Sequence, residues 1–346
     1  MPVRQRVERI CDQGLDARAF RVAVLAEVRT VVPFDAYVWL LTDPETCVGS
    51  APLAETPSLA DLPAVIRLKY MTSSNRWTAL ASNTAVTLAE ATGGDLALSA
   101  LWRELLANYG IDDVVSIVFR DAFGCWGFLD LWRTGSTFSA DECRLLASLA
   151  TVVTRALRLG QMTAFERGKA VLDHTDGPAV LLLSDALDLL SQTPQTDAYL
   201  RALLPTAADR SPVPAAAYNV AAQLLAREND VDHHPPWARV HVGDGLWVTL
   251  RAARIERVSS VETATIAVSI EPTPPVERTA LYGRVVGLSE RESELLQHLV
   301  EGNDTRGLAQ RLFMSEHTVQ DHLKSVFAKT GVNSRRMLIA RATGLA

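Results

Sequence analysis

At 346 residues with 48% hydrophobic side chains, the chain has the length for two or three domains and ample apolar content for packed cores. A net charge of −6 at pH 7 excludes a protein that coats nucleic acid along its whole length. Cys11, Cys47, Cys125 and Cys143 show no CxxC or metal-ligand spacing, the N-terminus carries no secretion signal, and no apolar run reaches the length of a bilayer span. These features lead us to expect a soluble, cytoplasmic protein with inert thiols.

Residues 1–32 read as helical, with Val7, Ile10, Leu15, Phe20, Val24, Leu25 and Val28 apolar and Pro33 as terminator. Asp35–Leu41 (DAYVWLL) reads as a strand, Asp43-Pro44-Glu45-Thr46 as a turn, and Cys47-Val48 as the start of a return strand. A Pro- and Ala-rich passage follows to about Asp61. Leu62–Met71 and Leu98–Asn108 read as helices, the second stopped by Gly110. Asp113–Arg120 and Cys125–Arg133 form a hairpin pattern across Asp121-Ala122-Phe123-Gly124. Ser139 and Glu142 make a capping box that opens a long helix to about Leu159.

This α+β order over residues 1–160 resembles a GAF-type sensor domain. The resemblance implies a small ligand held between the sheet and its covering helices. Tyr37, Trp39, Trp77, Trp102, Phe119, Trp126 and Phe128 are the candidate lining. The same aromatics are also what an ordinary core uses. Cys125 reads as a buried, unreactive thiol, because the sequence puts no basic residue beside it.

Residues 161–176 are polar and read as a connector. Beyond them, Ala179–Ser184 and Leu187–Ser191 read as strands around an Asp185-Ala186 turn, and Thr196–Leu204 and a segment opened by Pro214 read as helices. Trp237–Val242 and Leu246–Ala252 flank a Gly243-Asp244-Gly245 turn, and Thr265–Ile270 is a last strand. This order, with its opening GPAVLLLSDALDLLSQTPQ, resembles a PAS domain over residues 177–271. His174, His233, His234 and His241 lack metal-ligand spacing, and His233-His234 reads as a solvated loop. The Pro-rich passage in 272–284 reads as a stiff linker.

Residues 285–346 carry the most specific pattern. Ser289 and Glu292 form a capping box before the apolar face Leu295, Leu296, Leu299 and Val300, and Gly302 ends that helix. Asp304 caps a short helix with Leu308, Ala309 and Leu312 as its buried side. After a tight break at Phe313-Met314, Ser315 caps a third helix with a Val319, Leu323, Val326, Phe327 stripe, closed by Gly331. Two helices across a short break, the second with a polar face, make a helix-turn-helix layout. The nine Lys/Arg and seven Asp/Glu from Leu281 to Ala346 give this stretch +2, leaving −8 for the rest.

The run LSERESELL, Leu308-Ala309, Met314-Ser315, Thr318-Val319, His322, and Lys329-Thr330-Gly331-Val332 with Arg335 resembles the C-terminal domain of LuxR-type (NarL/FixJ-type) transcriptional regulators. Gln320 and Gly307 depart from that family's usual Lys and Glu. The resemblance implies that the third helix enters the major groove of double-stranded DNA. Ser315, His317, Thr318, Gln320, Asp321, His322 and Lys324 would be its contacts, with Thr305 and Arg306 from the helix before. It also implies a homodimer joined through Ser334–Thr343.

The expected fold is therefore multidomain α+β: a GAF-like domain, a PAS-like domain, then an all-α four-helix helix-turn-helix domain. A one-component regulator with a small-molecule ligand in its sensor half is the expected function. A scaffold that pairs only with proteins is the alternative. The strands do not follow a phosphoreceiver pattern, and no nucleophile elbow, phosphate loop, zinc motif or carboxylate pair marks an enzyme, a metal site or a bound cofactor.

Overall fold

A computed structural model of the protein describes residues 2–165, 177–203, 214–243, 245–255 and 265–345. His174, Asp244 and residues 166–176 of the expected connector lie outside the described residues. Two antiparallel five-stranded sheets are followed by a run of helices, a multidomain α+β arrangement.

The first sheet is built by β1 (Ala36–Leu41), β2 (Leu53–Glu55), β3 (Ala85–Thr87), β4 (Asp113–Asp121) and β5 (Gly124–Arg133), in the order β2-β1-β5-β4-β3. Helices α1 (Val3–Cys11), α2 (Ala17–Arg29), α3 (Leu62–Met71), α4 (Leu88–Ala91), α5 (Ala100–Glu104) and α6 (Ala140–Gly160) accompany it. The β4–β5 hairpin forms as its alternating apolar residues require, pairing Asp113 with Arg133 at one end and Asp121 with Gly124 at the other. The Ser139/Glu142 box opens α6, with Glu142 accepting from Ser139 N at 2.7 Å.

Two expectations fail here for local reasons. The helix expected over Leu98–Asn108 breaks at Leu105, whose φ −134 and ψ −60 leave the helical region, and continues as a 3-10 turn, Leu106–Tyr109. The return strand expected at Cys47 is absent. Cys47 donates its N–H to Asp43 O at 3.0 Å and takes φ +59, a left-handed conformation that a strand does not admit. Only a single bridge, Thr42 to Gly49, forms there, and the pairing strand is β2.

A polar cluster lies under this sheet. Lys69 on α3 sits 3.0 Å from Asp130 on β5. Asp130 also accepts from Trp77 Nε1 at 2.7 Å and Ser116 Oγ at 2.5 Å, and Asn75 Nδ2 donates to Ser116 at 2.9 Å. Complete pairing is what makes a buried charge tolerable.

The second sheet is built by β6 (Ala179–Leu183), β7 (Leu189–Gln192), β8 (Trp237–Gly243), β9 (Leu246–Ile255) and β10 (Thr265–Pro272), in the order β7-β6-β10-β9-β8. Counted from its own first strand, this is the order of the first sheet. Helices α7 (Thr196–Leu203) and α8 (Ala215–Glu228) belong with it. Nearly all of α8 is buried, and its alanines permit close packing on α3. Arg239 on β8 donates to both oxygens of Asp43, at 2.7 and 2.9 Å, and to Glu45 at 3.0 Å.

Five helices complete the chain: α9 (Pro275–Val286), α10 (Glu290–Val300), α11 (Thr305–Arg311), α12 (Glu316–Thr330) and α13 (Arg335–Thr343). Residues expected as a linker form α9, because Pro275 stands in the first turn, where a missing N–H is harmless.

The contacts divide the chain into two compact units. The first takes the described residues among Met1–Leu157, Thr175–Val240 and Thr249–Glu271, and so holds most of both sheets. The second takes those among Arg158–His174, His241–Val248 and Pro272–Ala346. In the second unit Phe165 stacks on Trp247 and lies tilted against Tyr282, each with centroids 5.1 Å away, and Arg278 lies over Phe165 at 4.7 Å. Among the described residues no helix is long and apolar enough to cross a membrane.

Candidate nucleic-acid interface

The last four helices are each started by a side-chain cap. Ser289 and Glu292 close a reciprocal box on α10, Asp304 accepts from Gly307 N at 2.8 Å on α11, Ser315 accepts from Thr318 N at 3.1 Å on α12, and Ser334 accepts from Met337 N at 3.2 Å on α13. Leu295, Leu296 and Leu299 of α10 are buried, as are Leu308 and Ala309 of α11, Leu312, and Val319, Leu323 and Val326 of α12. These side chains supply the domain core and fix which face of α12 remains outside.

That outer face is polar. His317, Gln320, Asp321 and Lys324 are exposed and recur at helical spacing, and Ser315 and Thr318 are exposed at the N-terminal end. A duplex major groove about 12 Å wide admits such a helix. The Ser315 and Thr318 hydroxyls lie 2.9 Å apart. With the positive end of the helix dipole behind them, they suit phosphate oxygens. Asp321 pairs with Lys324 at 3.1 Å and lies 3.6 Å from His317. The hydrogen bond from Lys324 holds the Asp321 carboxyl below its ordinary range.

The turn between α11 and α12 is tight. Met314 N donates to Ala309 O at 2.9 Å, and Phe313 between them takes φ +54 with its ring 96% exposed. Of the two residues expected from α11, Arg306 is exposed, whereas the Thr305 hydroxyl accepts from Arg335 Nη2 at 2.6 Å. His322 is half-buried on the flank of α12.

One constellation escaped the sequence. Glu292 completes the capping box and also accepts from Ser325 Oγ and Lys329 Nζ of α12, both at 2.6 Å. Burial alone would raise this acid, but the bonds from Lys329, Ser325 and Ser289 hold it down at about 2. The N-terminus of α10 thereby locks the rotation of α12. The signal available in sequence was limited to the box, because Ser325 and Lys329 reach Glu292 only once α10 crosses α12.

Residues 286–342 match the model of bacterial regulatory proteins of the luxR family. The spore germination protein GerE of Bacillus subtilis is 36% identical over 52 residues, which are 15% of this chain and 70% of GerE. The chain belongs to the luxR family of bacterial regulatory proteins. Its helix-turn-helix is that of a DNA-binding transcriptional regulator. Among solved structures, SdiA in complex with octanoyl-rac-glycerol is 12% identical, at a TM-score of 0.36 over 99% of this chain and 93% of that one. Escherichia coli SdiA in another crystal is 14% identical, at 0.34 over 99% and 97%. The bacteriophytochrome RpBphP3 from R. palustris is 14% identical, at 0.30 over 78% and 61%. Scores this low do not establish a shared fold along the luxR-family chain, and they say nothing of its ligand.

The seven aromatics expected to line one pocket do not converge. Trp39 stacks on Phe119 at 5.3 Å on one face of the first sheet. Tyr37, two residues before Trp39 on β1, shares that face. Trp77 stacks on Phe128 at 5.1 Å on the opposite face, which Trp126 shares. Trp102 is half-buried on α5, its Nε1 donating to Ile111 O at 2.8 Å. A pleated strand sends alternate side chains to opposite sides, so one cavity cannot hold both groups.

Proposed function

We propose that this luxR-family chain is a one-component regulator in which sensor domains control a helix-turn-helix that reads DNA as a homodimer. The proposed organisation is a GAF-like domain over 1–160, a connector over 161–176, a PAS-like domain over 177–271, a linking segment over 272–284 and the DNA-binding domain over 285–346. The observation that carries the reading is the exposed polar stripe of α12, whose opposite face, Val319, Leu323 and Val326, is buried. The common strand order of the two sheets supports two sensor folds of one plan. Ser315, His317, Thr318, Gln320, Asp321, His322 and Lys324, with Thr305 and Arg306, are the proposed contacts. A domain this small covers little DNA, which favours a dimer on a two-fold site.

Footprinting across a salt series tests the assignment. Lys324→Ala should weaken binding on every sequence and flatten the salt slope by about one unit. Gln320→Ala should relax preference at one base position, at a cost of about 1–3 kcal/mol. An unchanged footprint and slope in both variants would place the reading face elsewhere.

A second reading, a regulator that answers to protein partners without a small ligand, is favoured by the cluster under the first sheet. Lys69, Trp77 and Ser116 already satisfy Asp130, and Asn75 holds Ser116, so the chain's own groups take positions a polar ligand would need. Mass analysis of small molecules carried through purification separates the two readings.

A further inference from the structure

The stretch from Leu281 to Ala346 sets nine Lys/Arg against seven Asp/Glu, and most of its cations are already engaged. Arg291 pairs with Glu294 at 2.7 Å, Lys324 with Asp321 at 3.1 Å and Lys329 with Glu292 at 2.6 Å, and Arg311 lies 3.9 Å from Glu301. Arg341 donates to Thr330 O at 3.2 Å, and Arg284 is engaged as well. An acid beside a cation offsets part of what that cation offers to an incoming anion. Three cations remain: Arg306, Arg335 and Arg336.

One hydrogen bond gathers these three. Arg335 Nη2 donates to Thr305 Oγ1 at 2.6 Å, which ties the first residue of α13 to the first residue of α11. Thr305 and Arg335 are half-buried, so the tie belongs to the packed domain. Arg306 and Arg336 each follow a tied residue in the chain. Both are exposed, and among the described residues neither meets a carboxylate. Asp304, the acid nearest to Arg306 in sequence, is turned into α11 as its cap and accepts from Gly307 N at 2.8 Å.

The chemistry of this corner suits a phosphate. A guanidinium presents paired N–H donors in a plane, and that fork matches two oxygens of one phosphate group. Cations carried on fixed helix starts lose less freedom on binding than cations on a loop. The corner also stands where a strand of DNA would pass. In a helix-turn-helix the helix before the reading helix crosses the sugar–phosphate backbone, and here that helix is α11. The tie through Arg335 brings the start of α13 to the same end of α11.

We propose that Arg306 and Arg336, brought together by the Thr305–Arg335 bond, clamp the phosphodiester backbone of DNA beside the groove that α12 enters. The clamp rests on the reading of α12 given above and extends it to a second helix. Its ligand is the non-bridging oxygens of the phosphates, and it reads no base edge. α12 carries the sequence preference, and the clamp fixes the strand against which α12 is registered. Arg335 acts through its neighbours as a positioning residue. The start of α13 thereby serves DNA, although the resemblance implied a dimer contact for Ser334–Thr343.

Fluorescence anisotropy of the full-length chain across a salt series tests the clamp. Two probes are used: a duplex that the wild-type chain selects from a random pool, and an unrelated duplex of equal length. Arg306→Ala and Arg336→Ala should each flatten the slope of log affinity against log salt by about one unit, and together by about two, alike on both probes. Arg336→Lys should keep the slope, because the charge remains. Arg291→Ala, whose guanidinium already faces Glu294, should leave it unchanged. Arg336→Ala should matter less once Thr305→Val has freed Arg335, a coupling that mere support of the fold would not produce. Amide exchange of α11 and α13 shows that each variant is folded. A wild-type slope in the Arg306→Ala/Arg336→Ala double variant overturns the proposal. So does an equal loss in Arg291→Ala, a loss confined to the selected duplex, or an Arg336→Ala effect undiminished by Thr305→Val. The reading of α12 is judged apart from this. If Lys324→Ala flattens the slope and the arginine variants do not, the clamp alone fails. If only the arginine variants flatten it, the clamp stands and the reading face lies elsewhere. A wild-type chain that binds neither probe sinks both.

Discussion

Replacing Glu292 by Gln removes the charge that fastens α12 to α10 and keeps the shape. The carboxylate is 4% exposed and receives Ser289 N at 2.7 Å, Ser325 Oγ at 2.6 Å and Lys329 Nζ at 2.6 Å. Its descent from 4.5 to about 2 corresponds to roughly 3 kcal/mol in favour of the folded, ionised form. Lys329 is 38% exposed, so water screens its share, and about 2 kcal/mol is the expected cost of Glu292→Gln at pH 7. The group titrates lower when folded, so its contribution is complete above the unfolded value of 4.5 and is lost as pH falls toward 2. Wild type and variant should therefore converge across that window. Amide hydrogen exchange of α10 and α12 in the full-length chain, corrected for intrinsic rates, reads the difference at pH 7 and at pH 3. Equal protection at pH 7, or a gap that persists undiminished at pH 3, refutes the reasoning.

Phe313→Gly should stabilise the DNA-binding domain by up to about 1 kcal/mol, because φ +54 burdens a residue with a side chain and the exposed ring has no packing to lose. Hydrogen exchange at the α11–α12 turn would register it. Asp321→Asn should tighten DNA binding by roughly fivefold at low salt, by removing an acid from the phosphate-facing side and releasing Lys324. Fluorescence anisotropy measures this, and weaker binding with altered base preference would instead assign Asp321 a base contact. Asp43→Ala should cost about 3–5 kcal/mol by leaving the Arg239 guanidinium buried without its main partner, seen as a lower urea midpoint. Phe165→Ala should cost about 3 kcal/mol through the space left against Trp247 and Tyr282, seen as faster exchange in α9.

Much of the DNA-binding domain was legible in the amino-acid order because its determinants are local. A Ser or Asp cap, a glycine able to take positive φ at Gly302 and Gly331, and apolar residues three and four apart each act within one or two turns of helix. The β4–β5 hairpin was legible for the same reason, since a short turn and strict alternation fix its register. The α9 helix was not, because a Pro-rich run reads alike as spacer or as helix start until Arg278 docks on the carbonyls of Arg341 and Ala342.

Sequence by itself thus determined the family, the helix-turn-helix and the polar side of α12. Only the tertiary structure decided what lies beside what. It divided the aromatics between two faces of one sheet, because pleating alternates side chains whatever their chemistry. It gave Glu292 the partners Ser325 and Lys329 on another helix. Such pairings depend on how elements cross, and the crossing is set by the summed burial of many side chains rather than by any motif that carries the chemistry.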